Sequence, residues 1–276
     1  VRPLLVFALT LNLFFGYLLT VLMGREGGLL PMKYDYILFH LDTALGVHAA
    51  WIARPLQGAF RIPLRVVYEL MVPMMILWIP VTTHRSRRGS VVLAYVAELV
   101  VGPLLYALVP ACGPLYAFRA RWLQPPPVHA VTTSLAGLPN SFPSLHLATA
   151  LVLVFFAPGR IWRAVSLAFL AATAMATLST GEHYVIDLFA GMAFGCFAAF
   201  VGRRKLRHAL FFFGVALFWS LAARFGYGFL IAHPTLVRVL ALATAALAAA
   251  AVFREWKTPA LANEDLKRSK IMNSTI

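Results

Sequence analysis

Charge is what this chain has little of. Only 12% of its 276 residues are Asp, Glu, Lys or Arg, where a soluble domain carries about 25%. A solvated globular surface is therefore excluded. Acidic residues are scarcest, with 10 Asp and Glu against 24 Lys and Arg and a net charge of +14. A basic excess of that size can signal nucleic acid, but no basic-aromatic soluble module is present, so nucleic acid is excluded as a partner. Cysteine is nearly absent as well. Cys112 and Cys196 stand far apart in apolar or small-residue surroundings, without a C-x-x-C pair. They read as small packing residues, not as a disulfide or a metal site. No internal repeat stands out.

Apolar residues fill the space, at 61% of the chain. Runs near the ~20 residues needed to cross a bilayer predict helices at about 3–23, 62–83, 90–111, 143–157, 162–179, 183–201, 208–231 and 236–253. Their continuity does not fit the alternation of an outer-membrane barrel. The expected fold is all-α and integral to the membrane, a polytopic helical bundle of about eight transmembrane spans. The first run, "LLVFALTLNLFFGYLLTVL", is long for a signal-peptide core and reads as a retained span.

Short basic loops orient the bundle. Arg85, Arg87 and Arg88, then Arg160 and Arg163, then Arg203, Arg204, Lys205 and Arg207 alternate with loops poorer in Lys and Arg. The positive-inside rule makes these loops cytoplasmic and predicts a multi-pass protein of the plasma or inner membrane with both termini inside. The chain divides into a first span with an outer-face segment (1–61), a helical core (62–201), two further spans (202–253) and a polar tail (254–276) that composition marks as poorly ordered. Residues 24–61, rich in aromatics and Leu, predict one or two short helices on the membrane face, as a substrate platform or a shielding connector.

Two polar clusters break the apolar pattern, and the topology brings both to the extracytoplasmic face. In "STGEHYVIDLFAG" (179–191), His183 and Asp187 are four residues apart and share a helix face. A carboxylate one turn from an imidazole can fix its tautomer. Asp187 also lies where an ionisable group is costly and by default functional. In "PNSFPSLH" (139–146), Ser141 or Ser144 can cap the helix, beside Asn140, and a helix N-terminus suits phosphate. His146 follows in the first turn. Two histidines and a carboxylate suit phosphoryl transfer through a phosphohistidine, one ring attacking phosphorus and the other protonating the departing oxygen. Arg119 and Arg121, in "AFRARWLQPPP", are the candidate cations for the phosphate. Glu69, Glu98 and Arg224 fall within predicted spans as functional or structural pairs. His40, Asp42 and His48 match no metal motif of stated geometry.

"FPSLHLATA" and "TGEHYVIDLFAG", with "LYALVPACGPLYAF" (104–118) upstream, resemble the type-2 phosphatidic acid phosphatase superfamily, in particular its inositol phosphorylceramide synthase-like branch. The resemblance covers about residues 60–201. It implies a six-helix core and a reaction without metal or other cofactor. It also implies that His183 is the nucleophile, Asp187 its partner and His146 the general acid, acting on a phospholipid, ceramide-like or isoprenoid phosphate lipid. Three features depart from the superfamily pattern. Ala176 and Thr177 stand where Ser-Arg is usual, Leu145 replaces a Gly, and Lys-x6-Arg-Pro is not intact. A phosphodiester carries less charge than a monoester and needs fewer cations. The expectation is therefore headgroup transfer, with lipid phosphate hydrolysis as the alternative and a non-enzymatic lipid-binding protein or transporter as the reading from another class.

Overall fold

The computed structural model describes residues 34–83, 90–118, 121–124 and 140–273, with 258–273 as backbone. The first predicted span, the basic loop at 84–89, the tail's end at 274–276 and Arg119 lie outside the described residues. The helices, in chain order, are α1 (Asp35–Leu45), α2 (Ala49–Ala53), α3 (Arg61–Glu69), α4 (Met71–Thr83), α5 (Val91–Leu108), α6 (Pro114–Phe118), α7 (Leu145–Phe156), α8 (Gly159–Ser179), α9 (Val185–Gly202), α10 (Leu206–Phe225), α11 (Tyr227–Ala232) and α12 (Pro234–Asn273), with a 3₁₀ turn at Arg54–Leu56. No strand occurs among the described residues. The protein is an all-α polytopic membrane bundle.

Five helices are long and apolar enough to cross a membrane: α5, α8, α9, α10 and α12 as far as Lys257. The run at 62–83 is not one straight span. It breaks after Glu69 into α3 and α4, which meet at 49°. α7 has 12 residues, about 18 Å at 1.5 Å per residue, and falls short of the bilayer core on its own. The run at 208–231 also divides, at Gly226, into α10 and the short α11. α12 continues past Lys257 to Asn273, through the stretch whose composition predicts little order.

α9 is the central helix. Of its apolar window 78% is buried, against 28–33% for α8, α10 and α12. Its sequence explains this: Gly191, Gly195 and Gly202 let neighbours meet its backbone. α5, α7, α10 and α12 pack around it. At one end of the bundle Ser90 N–H donates to Gly202 O, and the Arg203 guanidinium reaches Phe155 O. At the other end Leu115 N–H donates to Gly181 O, and Ser141 N–H to Ala111 O. The two polar clusters meet at that second end, and the basic segments at 160–163 and 203–207 gather at the first.

The described part of the 24–61 segment holds α1, α2 and the 3₁₀ turn. α1 ends at Gly46, whose φ of 87° is left-handed and favours glycine. Asp35, Leu38, Leu41 and Asp42 of α1 are buried.

Candidate active site

Two helix beginnings lie side by side. A Cβ built on Gly191 would stand 2.6 Å from Ser144 O, and one on Gly195 2.7 Å from Ala148 O. Only glycine permits this approach of α9 to α7, and it aligns His183, two residues before α9, with the first turn of α7. Ser144 caps α7, its Oγ accepting from Leu147 N–H at 3.4 Å, while its own N–H donates to Asp187 O at 3.2 Å. Ser144 is thus buried between the two helices and does not line the cavity in front of them.

His183 is held at Nδ1. That nitrogen is 2.8 Å from Ser141 O and 3.4 Å from Asp187 Oδ2. A peptide carbonyl can only accept, so Nδ1 carries a proton, and the neutral ring has its lone pair on Nε2. The nearer acceptor is thus a backbone carbonyl, which residue spacing does not reveal, and Asp187 supports from behind. Asp187 Oδ2 accepts from Ser141 Oγ at 2.5 Å and from Tyr184 N–H at 2.8 Å. The carboxylate therefore fixes the 140s turn and the start of α9 together.

His146 faces His183 with ring centroids 6.0 Å apart and stacks on Tyr68 at 4.0 Å. Both imidazoles line a cavity of about 250 Å3, together with Asn140, Tyr106 and Tyr68. Phosphoryl transfer between two imidazoles needs one nitrogen ~3 Å from phosphorus and the other in hydrogen-bond reach of the leaving oxygen. The ring separation is on that scale.

The cavity's charge is unusual for a phosphate site. Three carboxyl side chains line it: Glu69, Glu98 and Glu182. Arg65 is the cation beside them, 2.6 Å from Glu69 Oε1 and 3.7 Å from Glu182 Oε1, with its guanidinium over the Tyr68 ring at 5.4 Å. Glu182 also accepts from Tyr116 Oη at 3.1 Å. Burial raises the Glu182 carboxyl above the usual glutamate range, while His183, Tyr116 and Arg65 pull it back down.

α1 braces the whole arrangement. Asp42 accepts from Val185 N–H at 3.0 Å and from Ile186 N–H at 2.9 Å, occupying the N-terminus of α9 with the protein's own carboxylate. Asp35 accepts from Gly113 N–H at 2.8 Å, from Cys112 N–H at 3.1 Å and from Tyr184 Oη at 3.1 Å. Gly113 needs its glycine, since it has a φ of 87° and a Cβ there would lie 2.2 Å from Glu182 O. Asp42 is spent on backbone donors. Among the described residues no group of three His, Cys, Asp or Glu side chains is placed to hold a metal ion.

Of the residues singled out by sequence, His146, His183 and Asn140 line the cavity, and Asp187 and Ser144 stand directly behind it. Arg121 is exposed and does not line it. Arg224 donates to Leu108 O at 2.9 Å and covers the Tyr34 ring, which makes it a packing residue. Arg65, Tyr68, Glu182 and the Ser141 carbonyl were not singled out as site residues. The i,i+4 spacing of Arg65 and Glu69 in "RVVYE" (65–69) is a sequence signal that could have found Arg65.

No curated protein and no solved structure matches the chain. Residues 37–201, more than half of it, match the model of the PAP2 superfamily. That match covers α1 from Ile37 on, both histidine clusters and α9 as far as Val201. The chain belongs to the PAP2 superfamily, a family of phosphatases and phosphotransferases acting on lipid phosphates.

Proposed function

We propose that the protein is a membrane phosphotransferase that moves a phospho-headgroup, of the inositol phosphate kind, between lipids on the extracytoplasmic face. The observation that carries this reading is the pair of imidazoles sharing one cavity, with His183 Nδ1 engaged and its Nε2 free to attack. In the first step His183 Nε2 bonds to phosphorus, the ester P–O bond breaks, and the leaving alkoxide takes a proton from His146. In the second step the acceptor hydroxyl gives its proton to His146 and attacks phosphorus, and the N–P bond breaks. Asp187 stabilises the positive charge that His183 carries in between. Ser144 and Asp187 keep the two helix starts in register, and Asn140 offers an amide to the phosphoryl oxygens.

Transfer is favoured over hydrolysis by the cavity's charge. A monoester dianion would face Glu69, Glu98 and Glu182 with Arg65 as the adjacent cation, whereas a diester carries one charge less.

The test is incubation of purified protein with phospholipids labelled on the headgroup phosphate, with and without a lipid alcohol. The expected result is an acid-labile labelled protein and a labelled product that needs the alcohol. In His183→Ala the label disappears and turnover falls by about 10⁶-fold, the scale of losing a catalytic nucleophile. Water-soluble headgroup phosphate, or free phosphate from a monoester lipid, formed without an alcohol would assign hydrolysis instead. Neither turnover nor label across a broad lipid panel would leave a lipid-binding or transport role.

A further inference from the structure

The carboxyl group of Glu98 has no part in the chemistry described above. Glu98 lies mid-way along α5, is buried, and lines the cavity that holds both histidines. Its Oε2 accepts from Thr149 Oγ1 at 2.9 Å. Its Oε1 is buried without a hydrogen-bond partner among the described residues. Tyr95, one turn earlier on α5, does not line the cavity, and its own hydroxyl leaves Glu98 unbonded. A carboxyl at this depth is costly even when fully bonded, and one oxygen left open costs more. An apolar residue would fill the same space without that cost.

Position indicates what the open oxygen meets. Thr149 follows His146 by three residues on the same face of α7, so the Glu98–Thr149 pair lies about 4.5 Å further into the bundle than the histidine. A lipid whose phosphate lies at the histidines passes its first few chain atoms through this level. In either protonation state a carboxyl group keeps acceptor capacity. The ionised group offers its open oxygen to a hydroxyl or an N–H, and a hydroxyl can also accept from the protonated group, so a ligand hydroxyl complements Glu98 in both states.

We propose that Glu98, oriented by Thr149, is a specificity-determining receptor for a hydroxyl or N–H borne by the lipid within two or three atoms of its phosphate. This rests on the proposed lipid phosphate site, because it is the phosphate at the histidines that sets the depth of the donor. A chain without a donor there leaves Glu98 open, and one with a donor closes it.

The experiment compares single-chain probes, each used as its methyl diester so that it carries the single charge the cavity favours, that differ by one hydroxyl: dodecyl phosphate, 2-hydroxydodecyl phosphate and 3-hydroxydodecyl phosphate. Affinities are measured on full-length protein in the His183→Ala background, where binding is read without turnover, and again with Glu98→Leu or Glu98→Gln added. One added hydrogen bond to a buried carboxyl predicts that the better hydroxylated probe binds about tenfold tighter than dodecyl phosphate. The ratio falls to about one in Glu98→Leu. It stays at severalfold in Glu98→Gln, whose amide oxygen still accepts and whose shape is kept should the Leu variant fold poorly. A ratio near one with Glu98 present, or a tenfold ratio surviving in Glu98→Leu, overturns the receptor. A ratio of one alongside a His183 phosphoprotein in wild type removes only the receptor. A tenfold ratio without any phosphoprotein keeps the receptor and removes the proposed reaction. Absence of binding by all three probes overturns both.

Discussion

The two ends of the α7–α9 pair are capped by opposite chemistry. At the end that carries the histidines, backbone N–H groups face carboxylates: Asp42 holds Val185 and Ile186, Asp35 holds Cys112 and Gly113, and Asp187 holds Tyr184. At the far end carbonyls of α7 face nitrogen donors. Trp78 Nε1 donates to Leu153 O at 2.9 Å, Trp256 Nε1 to Val154 O at 3.1 Å, and the Arg203 guanidinium to Phe155 O at 2.5 Å. Both ends thus satisfy the orphan groups that every helix leaves. They differ in what the caps also touch. The far-end caps sit on an apolar cluster of Trp78, Phe155, Phe200 and Phe212, and Lys205 pairs with Glu255 at its rim. The near-end caps are in direct contact with residues that orient His183. One end holds the bundle together, and the other holds it together and aims a side chain.

Removing Asp42 is the strongest way to test that difference within the braces. Asp42→Ala leaves the Val185 and Ile186 N–H groups without their acceptor in a buried site, at a cost of about 4 kcal/mol for the two. Because these are the second and third residues after His183, kcat should fall by about a hundredfold through misplacement of the ring. Asp42→Asn, with one oxygen left to accept, should recover part of both. Thermal unfolding of the purified protein and single-turnover rates give the two readouts. Lost stability with unchanged kcat would reduce Asp42 to a fastener like those at the far end.

Asp35 should make the near end sensitive to pH. Burial pushes its carboxyl up to about 6 from the ordinary 3.8, against the donors from Cys112, Tyr184 and Gly113 that pull it down. The folded chain therefore holds this proton more tightly than the unfolded one. The sign follows: the extra stability is complete below about pH 4 and is lost as pH rises through 6, about 3 kcal/mol in all. Melting temperatures from pH 4 to 7 should fall more steeply for wild type than for Asp35→Asn, which carries no such proton. Parallel profiles would remove Asp35 from the pH response.

The sequence made some of this legible and hid the rest for physical reasons. The histidines and Asp187 were readable because short motifs place them on adjoining helix starts, and basic loops alone put both motifs at one end. The break after Glu69 was masked by hydropathy, which runs unbroken through "RVVYELMVPMM". Its cause is nonetheless in the sequence: Pro73 has no N–H to donate to Glu69 O four residues back, and its ring crowds that carbonyl. Asp42 looked like a stray member of a His-Asp-His group, because its partners are backbone N–H groups more than a hundred residues away. The Ser141 carbonyl carries no side-chain signature at all. Arg121 looked suitable by sequence position alone, and its exposure outside the cavity is a property of loop geometry that position does not encode.

The smallest effect belongs at the far end. Trp256→Phe deletes the indole donor to Val154 O and weakens the Arg163 contact over the ring, 4.9 Å away, while keeping most of the apolar volume. The loss should be about 1 kcal/mol, that of a single neutral hydrogen bond, read as a small drop in melting temperature. Turnover should stay at the wild-type value, because nothing in this cap touches α9's first turn or the histidine cavity. A fall in kcat comparable with that of Asp42→Ala would mean that strain at one end of α7 reaches the other. α7 would then act as a rigid rod of 12 residues transmitting its cap geometry to His146, and the division into a fastening end and an aiming end would give way to a single coupled unit.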